Sequence, residues 1–449
     1  MNHKFPTLVF LLLLLIIFTT TFDTSHAKPK PKPPQIFPIS FQFHQTLNST
    51  KSWLQFNFKP SSQSLLAATL SFLAAAVSSA GGIGGGGLFI PILTIAAGVD
   101  LKTASSFSAF MVSGGSLANV GCHLLSRRPP LIDYDIALLS EPCMLLGVSA
   151  GVILNVVLPE WLITASFAVF LAFCTFKTCA AGVSFWSVES RRRSEEDEEE
   201  GGDRKVALLL REEESGGDSH LVGIPWGKVG MLILIWFSFF VLYLLRGNSS
   251  GQGIINIESC GKGYWLISSI QIPLALIFTT WILHFGKNAK ITAETQEENG
   301  VGRRCSSSRK LFFPLMALLA GVLGGVFGIG GGMLISPLLL QIGIEPQATA
   351  ATCSFMVFFS SIMSAMQYLL LGMEHVDGAL GYAAICFIAS LVGLTIARRA
   401  VMKHGRASLI VFAVGVVMAL STVLITGFGA VEVWNDYTSG ESMGFKKPC

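Results

Sequence analysis

"GGIGGGGLFIPIL", residues 81–93, places six glycines in seven positions and then resumes uninterrupted apolar sequence. Gly82, Gly84 and Gly87 satisfy G-x-G-x-x-G, the spacing by which a dinucleotide fold brings its backbone up to a pyrophosphate. That turn belongs after a short strand in a soluble βαβ unit, whereas this one follows the apolar run "LLAATLSFLAAAVSSA" and precedes more of the same. No G-K-[ST] follows, so the lysine and hydroxyl of a phosphate-binding loop are missing as well. The alternative is a glycine-rich break inside membrane-embedded sequence.

Composition favours the second reading. Of the 449 residues 51% are hydrophobic and 13% charged, and the mean hydropathy is +0.60, whereas soluble domains are about 25% charged. The net charge of +3 is small and dispersed, which argues against a nucleic-acid partner. The nine cysteines include no C-x-x-C, and six of them lie within apolar runs as small packing residues. Neither a metal nor a cofactor is expected. Cys260 and Cys449 fall in segments expected to be lumenal, where they either pair or stay free.

Lys4, the apolar run of residues 8–18 and the small residues Ser25 and Ala27 form a signal peptide over residues 1–27, or an uncleaved signal anchor. Both readings place the following tail, with its "KPKPKPP" start, on the lumenal or extracellular side. Asn48 in "NST" and Asn248 in "NSS" are glycosylation sequons.

Eight apolar runs have the length of a membrane span, at residues 104–125, 136–157, 162–183, 229–245, 263–285, 350–371, 380–397 and 408–427. Basic residues accumulate in cytosolic loops. The segments 127–128, 184–228, 286–310 and 398–406 together hold 19 of the 31 lysines and arginines, while the alternate loops hold only Lys102, Arg246 and Lys262. With the N-terminal tail lumenal, parity makes residues 65–97 enter and leave on one face, as a re-entrant hairpin with glycine at its tip. The same count makes residues 311–343 a hairpin from the cytosolic face. The two tips then meet near the midplane.

Sliding the chain against itself by 246 residues sets "GIGGGGLFIPIL" (82–93) over "GIGGGMLISPLL" (328–339) without a gap. Met333 stands where the third fingerprint glycine would be, which counts further against a nucleotide. Each half reads as a hairpin plus three spans, joined by two linking spans, so the halves have inverted topology, an arrangement that secondary transporters use. The expected fold is an all-α polytopic membrane protein with an inverted-topology repeat. Its divisions are a signal peptide (1–27), a lumenal tail (28–63), a first repeat (64–183), an acidic cytosolic loop (184–228), two linking helices (229–285), a cytosolic loop (286–310), a second repeat (311–428) and a C-terminal tail (429–449). The expected location is the plasma membrane or an endomembrane of the secretory pathway.

The glycine runs have a physical use in such a fold, because glycine adopts backbone angles closed to other residues and leaves N–H groups uncovered. If half-helices start near Leu88 and Leu334, their first-turn N–H groups form an anion-favouring site of neutral backbone. The site residues so expected are Gly82, Gly84, Gly85, Gly86, Gly87 and Leu88 with Gly328, Gly330, Gly331, Gly332 and Met333. The competing reading makes these glycines helix-packing surface.

The motif "GIGGGG…P" in each half, the acidic loop between them and "PPLIDYDIALLSEPCMLLGVSAGVILNVVLPEWL" resemble the sulfite exporter TauE/SafE family (4-toluene sulfonate uptake permease-like), and in particular its plant branch, over about residues 65–427. The resemblance implies export or uptake of a small anion such as sulfite, a sulfonate or a related organic acid.

Hydroxyls flank both hairpins: Ser78, Ser79, Ser105, Ser106 and Ser108 in the first half, and Thr349, Thr352 and Ser354 in the second. They ligate an oxyanion or a sodium ion, or else bond neighbouring helices and their own backbone. Asn119, Asn155 and Gln367 read as structural links between helices. Glu141 is the acidic residue deepest in a span; it exchanges a coupling proton, or pairs with Arg127 or Arg128 near the headgroups. Gly147 and Gly151 read as exposed helix-packing glycines. "RRRSEEDEEE", residues 191–200, reads as a disordered solvated loop. A receptor or scaffold working through that loop is the competing function, and no H-E-x-x-H, G-x-S-x-G or paired intramembrane aspartates point to an enzyme.

Overall fold

The computed structural model describes residues 62–79, 81, 85–125, 132–199, 225–246, 262–294, 307–341, 344–373, 375–404 and 408–439. The signal peptide, both sequons, Gly82, Gly84, Arg127, Arg128 and most of the acidic loop lie outside these residues.

Among the described residues all regular structure is helical. The first repeat contains α1 (Ser62–Ser79), α2 (Gly86–Pro91) running on into a π turn (Ile92–Ala96), α3 (Leu101–Leu125), α4 (Tyr134–Val157) and α5 (Glu160–Glu199). The linking helices are α6 (Trp226–Arg246) and α7 (Lys262–Glu294). The second repeat contains α8 (Ser307–Phe327), α9 (Gly332–Gln341), α10 (Pro346–Leu370), α11 (Val376–His404) and α12 (Ser408–Ser439). Shifted by 246 residues, each helix of the first repeat falls on its counterpart in the second, and α2 and α9 begin at the matched residues Gly86 and Gly332.

The packing repeats too. Helix α1 lies along α11, and its counterpart α8 lies along α4. Gly393 of α11 abuts the carbonyl of Ala76, while Gly147 of α4, its match in the repeat, abuts the carbonyl of Leu318. Likewise α2 packs on α12 and α9 on α5. The matched helices α5 and α12 pack on each other in antiparallel sense, because Thr164 meets Gly429 whereas Gly182 meets Phe412. Ser408 at the start of α12 donates its backbone N–H to the Glu189 carboxylate at 3.1 Å.

Among the described residues eight helices are long and apolar enough to cross a membrane: α1, α4, α5, α6, α7, α10, α11 and α12. The number equals that expected from sequence, but the membership differs. Helix α1, expected as one arm of a hairpin, is itself 18 residues long, about 27 Å. Helix α3, expected as a span, has 25 residues but lacks the hydropathy, because serines at 105, 106, 108, 113 and 116 dilute it. Most of α3 is buried in the bundle, where it faces protein rather than lipid and needs no apolar exterior. In each half the segment after the glycine run lies back on the helix before it: the π turn packs on α1, and Gly331 lies against the Ala320 carbonyl of α8.

Leu65, Leu73, Val169, Phe176, Leu266, Ile277, Val416 and Val423 leave a belt of large apolar side chains on the outside, a surface that suits lipid and would be unfavourable in water. The acidic segment departs from expectation at its start, since α5 continues as helix to Glu199. Arginine and glutamate are good helix formers, and no glycine or proline interrupts them before Gly201.

Candidate functional site

Each hairpin turns on a glycine with left-handed backbone at the same place in the repeat, Gly85 (φ +82°) and Gly331 (φ +70°), a conformation that costs glycine nothing. Each is followed by the same bond: Leu88 N–H donates to the Gly85 carbonyl at 3.1 Å, and Leu334 N–H to the Gly331 carbonyl at 3.3 Å. The half-helices therefore start at Gly86 and Gly332, two residues earlier than expected, and Leu88 is corrected as a donor because its N–H is already engaged. The first-turn donors with no acceptor within their own helix belong instead to Gly86 and Gly87, and to Gly332 and Met333. Pro91 and Pro337 sit inside these half-helices. Lacking an N–H, they leave the carbonyls of Gly87 and Met333 without their i+4 donors. Each tip thus carries both donor and acceptor backbone.

The two tips touch. A Cβ at Gly86 would stand 2.7 Å from the Cα of Ile329, and one at Gly87 would run into the Met333 side chain. Gly328 closes on the backbone carbonyl of Ser105, and Gly330 on Val357, Val112 and Ser361. Of the expected site glycines, Gly85, Gly86, Gly87, Gly328, Gly330, Gly331 and Gly332 all lie at this meeting point or at the turns that make it.

Polar side chains tie off the helix ends beside the breaks. At the first, Asn119 Nδ2 reaches the Ser79 carbonyl at 3.4 Å and Ser354 Oγ at 3.3 Å, while Ser79 Oγ donates to Asn119 Oδ1 at 2.5 Å. At the second, Tyr368 donates to the Gly325 carbonyl at 2.7 Å, Asn155 to Val326 at 2.6 Å and Ser360 to Gly330 at 2.7 Å. Ser79 and Gly325 are matched in the repeat, so both breaks close in the same way. Asn119 and Asn155 act as the structural links expected of them, and Gln367 joins Ser149 at 2.8 Å.

The expected hydroxyls separate into groups. Ser105 and Ser106 bond to carbonyls of their own helix, Leu101 at 2.9 Å and Thr103 at 2.8 Å. Ser354 accepts from Asn119, whereas its repeat match Ser108 is fully buried with no hydrogen-bond partner. Thr349 lines a cavity of about 10 Å³ with Gly81, Thr178 and Ser336, near the least volume that admits a water. Sequence reasoning missed Ser336, Ser360 and Tyr368. The i,i+4 serines Ser360 and Ser364 of α10, both fully buried and the latter unpartnered, were the signal available for that region.

Glu141 is 0% exposed, and neither carboxylate oxygen has a hydrogen bond. It precedes by three residues, hence on the same side of α4, Met144, whose sulfur lies 3.5 Å from the Cβ position of Gly331. The carboxyl is therefore enclosed in the bundle near the second break. Gly147 and Gly151 are buried rather than exposed as expected. Cβ atoms there would strike the carbonyls of Leu318 and Val322, because α4 and α8 cross backbone against backbone.

The sequence profile of the family described as "Sulfite exporter TauE/SafE" matches residues 66–279 and 263–425. The chain is 55% identical over 427 residues to "Sulfite exporter TauE/SafE family protein 2" of Arabidopsis thaliana, covering 90% of this chain and 93% of that one. It is 57% identical over 398 residues to "Sulfite exporter TauE/SafE family protein 5" of the same plant, covering 87% and 88%. A shorter likeness, 36% over 63 residues, or 14% of this chain and 22% of that one, links it to "Probable membrane transporter protein YunE" of Bacillus subtilis. No solved structure matches.

Proposed function

Because the chain belongs to the sulfite exporter TauE/SafE family, a family of membrane transporters, we propose that it is a secondary transporter of a small anion, namely sulfite, a sulfonate or a related organic acid. The observation that carries this reading is the contact of two repeat-matched, glycine-rich breaks, Gly86 on Ile329 and Gly87 on Met333. A helix-packing role asks for small residues against a neighbouring helix. It does not ask for two interrupted helices turned tip to tip.

In this mechanism the anion lies between the tips, held by N–H groups of Gly86, Gly87, Gly332 and Met333. A helix N-terminus carries roughly half an elementary charge, so two facing one site offset about one negative charge without a buried cation. Gly82 and Gly84 belong to the same glycine run in the sequence, and Ser108, Thr349 and Ser354 lie on the helices beside the tips. Release requires the tips to separate. The antiparallel pairing of the matched helices α5 and α12 supports an inverted repeat, in which rocking of one half on the other opens the site to each face in turn. Glu141 carries the coupling proton, and a sodium ion is the alternative coupling partner. The orientation rests on the distribution of basic residues, which puts the acidic segment in the cytosol and the tail bearing Asn48 in the lumen.

The test is flux of a panel of anions, including sulfite, methanesulfonate, sulfate and acetate, by the full-length protein in proteoliposomes. Saturable sulfite or sulfonate flux supports the reading; absence of flux for every anion overturns it. The scaffold alternative, which works through residues 191–214, predicts that deleting those residues abolishes function, whereas a transporter keeps its flux.

A further inference from the structure

Arg246, the last residue of α6, is 2% exposed. Its guanidinium lies over two tyrosine rings, 4.9 Å from the Tyr243 centroid and 4.4 Å from that of Tyr264, and Nη2 donates to the Tyr264 hydroxyl. Nε and Nη1 are buried with no acceptor. Those two nitrogens hold three of the side chain's five N–H donors. Among the described residues no carboxylate bridges Arg246. A cation taken out of water without a counter-charge is strongly disfavoured, and the aromatic faces compensate only in part. The remaining donors form part of a planar fork whose geometry matches the oxygens of a carboxylate, sulfite, sulfonate or phosphate.

Its position adds meaning. Helix α6 packs on α10, where Trp236 donates its indole N–H to the Phe359 carbonyl at 3.1 Å, and α10 carries Tyr368, which holds the Gly325 carbonyl at the end of α8. Arg246 therefore ends a helix packed against the one whose Tyr368 closes the second break. It belongs to a linking helix with no counterpart in the repeat.

We infer that Arg246, walled by Tyr243 and Tyr264, is an oxyanion-binding site at the end of the bundle where α6 passes to α7, receiving a small oxyanion on its way to or from the tips. The inference rests on the transporter reading for its role in the path, but the binding itself does not depend on that reading. The same chemistry fits the phosphate of a lipid headgroup, and the test separates the two.

The experiment measures thermal unfolding of the full-length protein in a non-ionic detergent against sodium sulfite, with sodium chloride holding ionic strength constant. Arg246→Gln should raise the half-saturating sulfite concentration at least about tenfold, because charge-assisted hydrogen bonds are lost. Arg246→Lys should fall between, keeping the charge but not the fork. The melting temperature of Arg246→Gln without sulfite should be no lower than wild type, since an unpaired buried charge has been removed. An unchanged half-saturation in Arg246→Gln overturns the inference, whether or not its melting temperature falls. Stabilisation by added phosphatidylglycerol that requires Arg246, with sulfite stabilising wild type and Arg246→Gln alike, assigns the site to lipid and overturns it too. Sulfite counterflow in proteoliposomes of the wild type reports separately on the transporter reading.

Discussion

Gly86 and Ile329 are in backbone contact: a Cβ on Gly86 would stand 2.7 Å from the Ile329 Cα. The residues are 243 positions apart, and each belongs to the break of a different half. Their neighbours Gly87 and Met333 also meet, but there the obstacle is the end of a flexible side chain. This difference between a rigid and a yielding neighbour makes the contact testable.

Gly86→Ala should be the more damaging of two alanine substitutions, because backbone cannot yield. Overpacking of this kind costs about 1–3 kcal/mol, and transport should fall at least tenfold. Gly87→Ala should retain more activity, and Met333→Ala should partly restore it, giving a non-additive pair in a double-mutant cycle. Additive effects in the melting temperatures and initial rates would separate the two residues.

Gly147→Ala and Gly151→Ala should destabilise the protein by about 1–3 kcal/mol each, by pushing α4 off α8. Gly393→Ala should act alike, because it occupies the same place against Ala76. Thermal unfolding in detergent measures this; Gly227 and Gly230, which have open space around them, serve as neutral controls.

Glu141→Gln keeps the shape of a neutral carboxyl, and no hydrogen bond of Glu141 is lost with it. Stability should change by less than about 1 kcal/mol, because the substitution preserves side-chain volume and breaks no hydrogen bond. Counterflow of labelled anion should persist, while uptake driven by an imposed proton gradient should disappear. Gradient-driven uptake that survives the substitution removes Glu141 from coupling.

The sequence made the breaks legible because glycine density and a gapless internal match are both local observations. The pairing of Gly85 with Gly331 and of Gly86 with Gly332 followed from the repeat alone, but the helix starts did not: they were expected near Leu88 and Leu334, two residues beyond where the helices begin. Contacts between halves were less accessible. Gly147 and Gly151 read as exposed because a helix sequence does not say which face meets a partner when every face is apolar. Ser105 read as a ligand, yet its hydroxyl bonds to Leu101 one turn back, a choice that residue type does not encode. Length and charge parity put α1 inside a hairpin, yet α1 alone is long enough to cross a membrane, and α3 carries serines that burial in a bundle permits and contact with lipid would not. Arg246 passed as a loop residue because the two tyrosines that enclose it gather only when α6 and α7 pack.

The central claim is that an anion is held between the two glycine tips. Its most direct measurement is counterflow of radiolabelled sulfite by the full-length protein in proteoliposomes, comparing wild type with Gly84→Val and Gly330→Val at equal membrane content. Gly330 has φ +71° and would set a Cβ 2.9 Å from Val357, so valine there both strains the turn and fills the tip. Wild-type counterflow with loss of at least about a hundredfold in both variants, the amount of inserted protein staying normal, is the predicted result. Counterflow at the wild-type rate in both valine variants would contradict it, and would make the glycines packing surface with the anion held elsewhere.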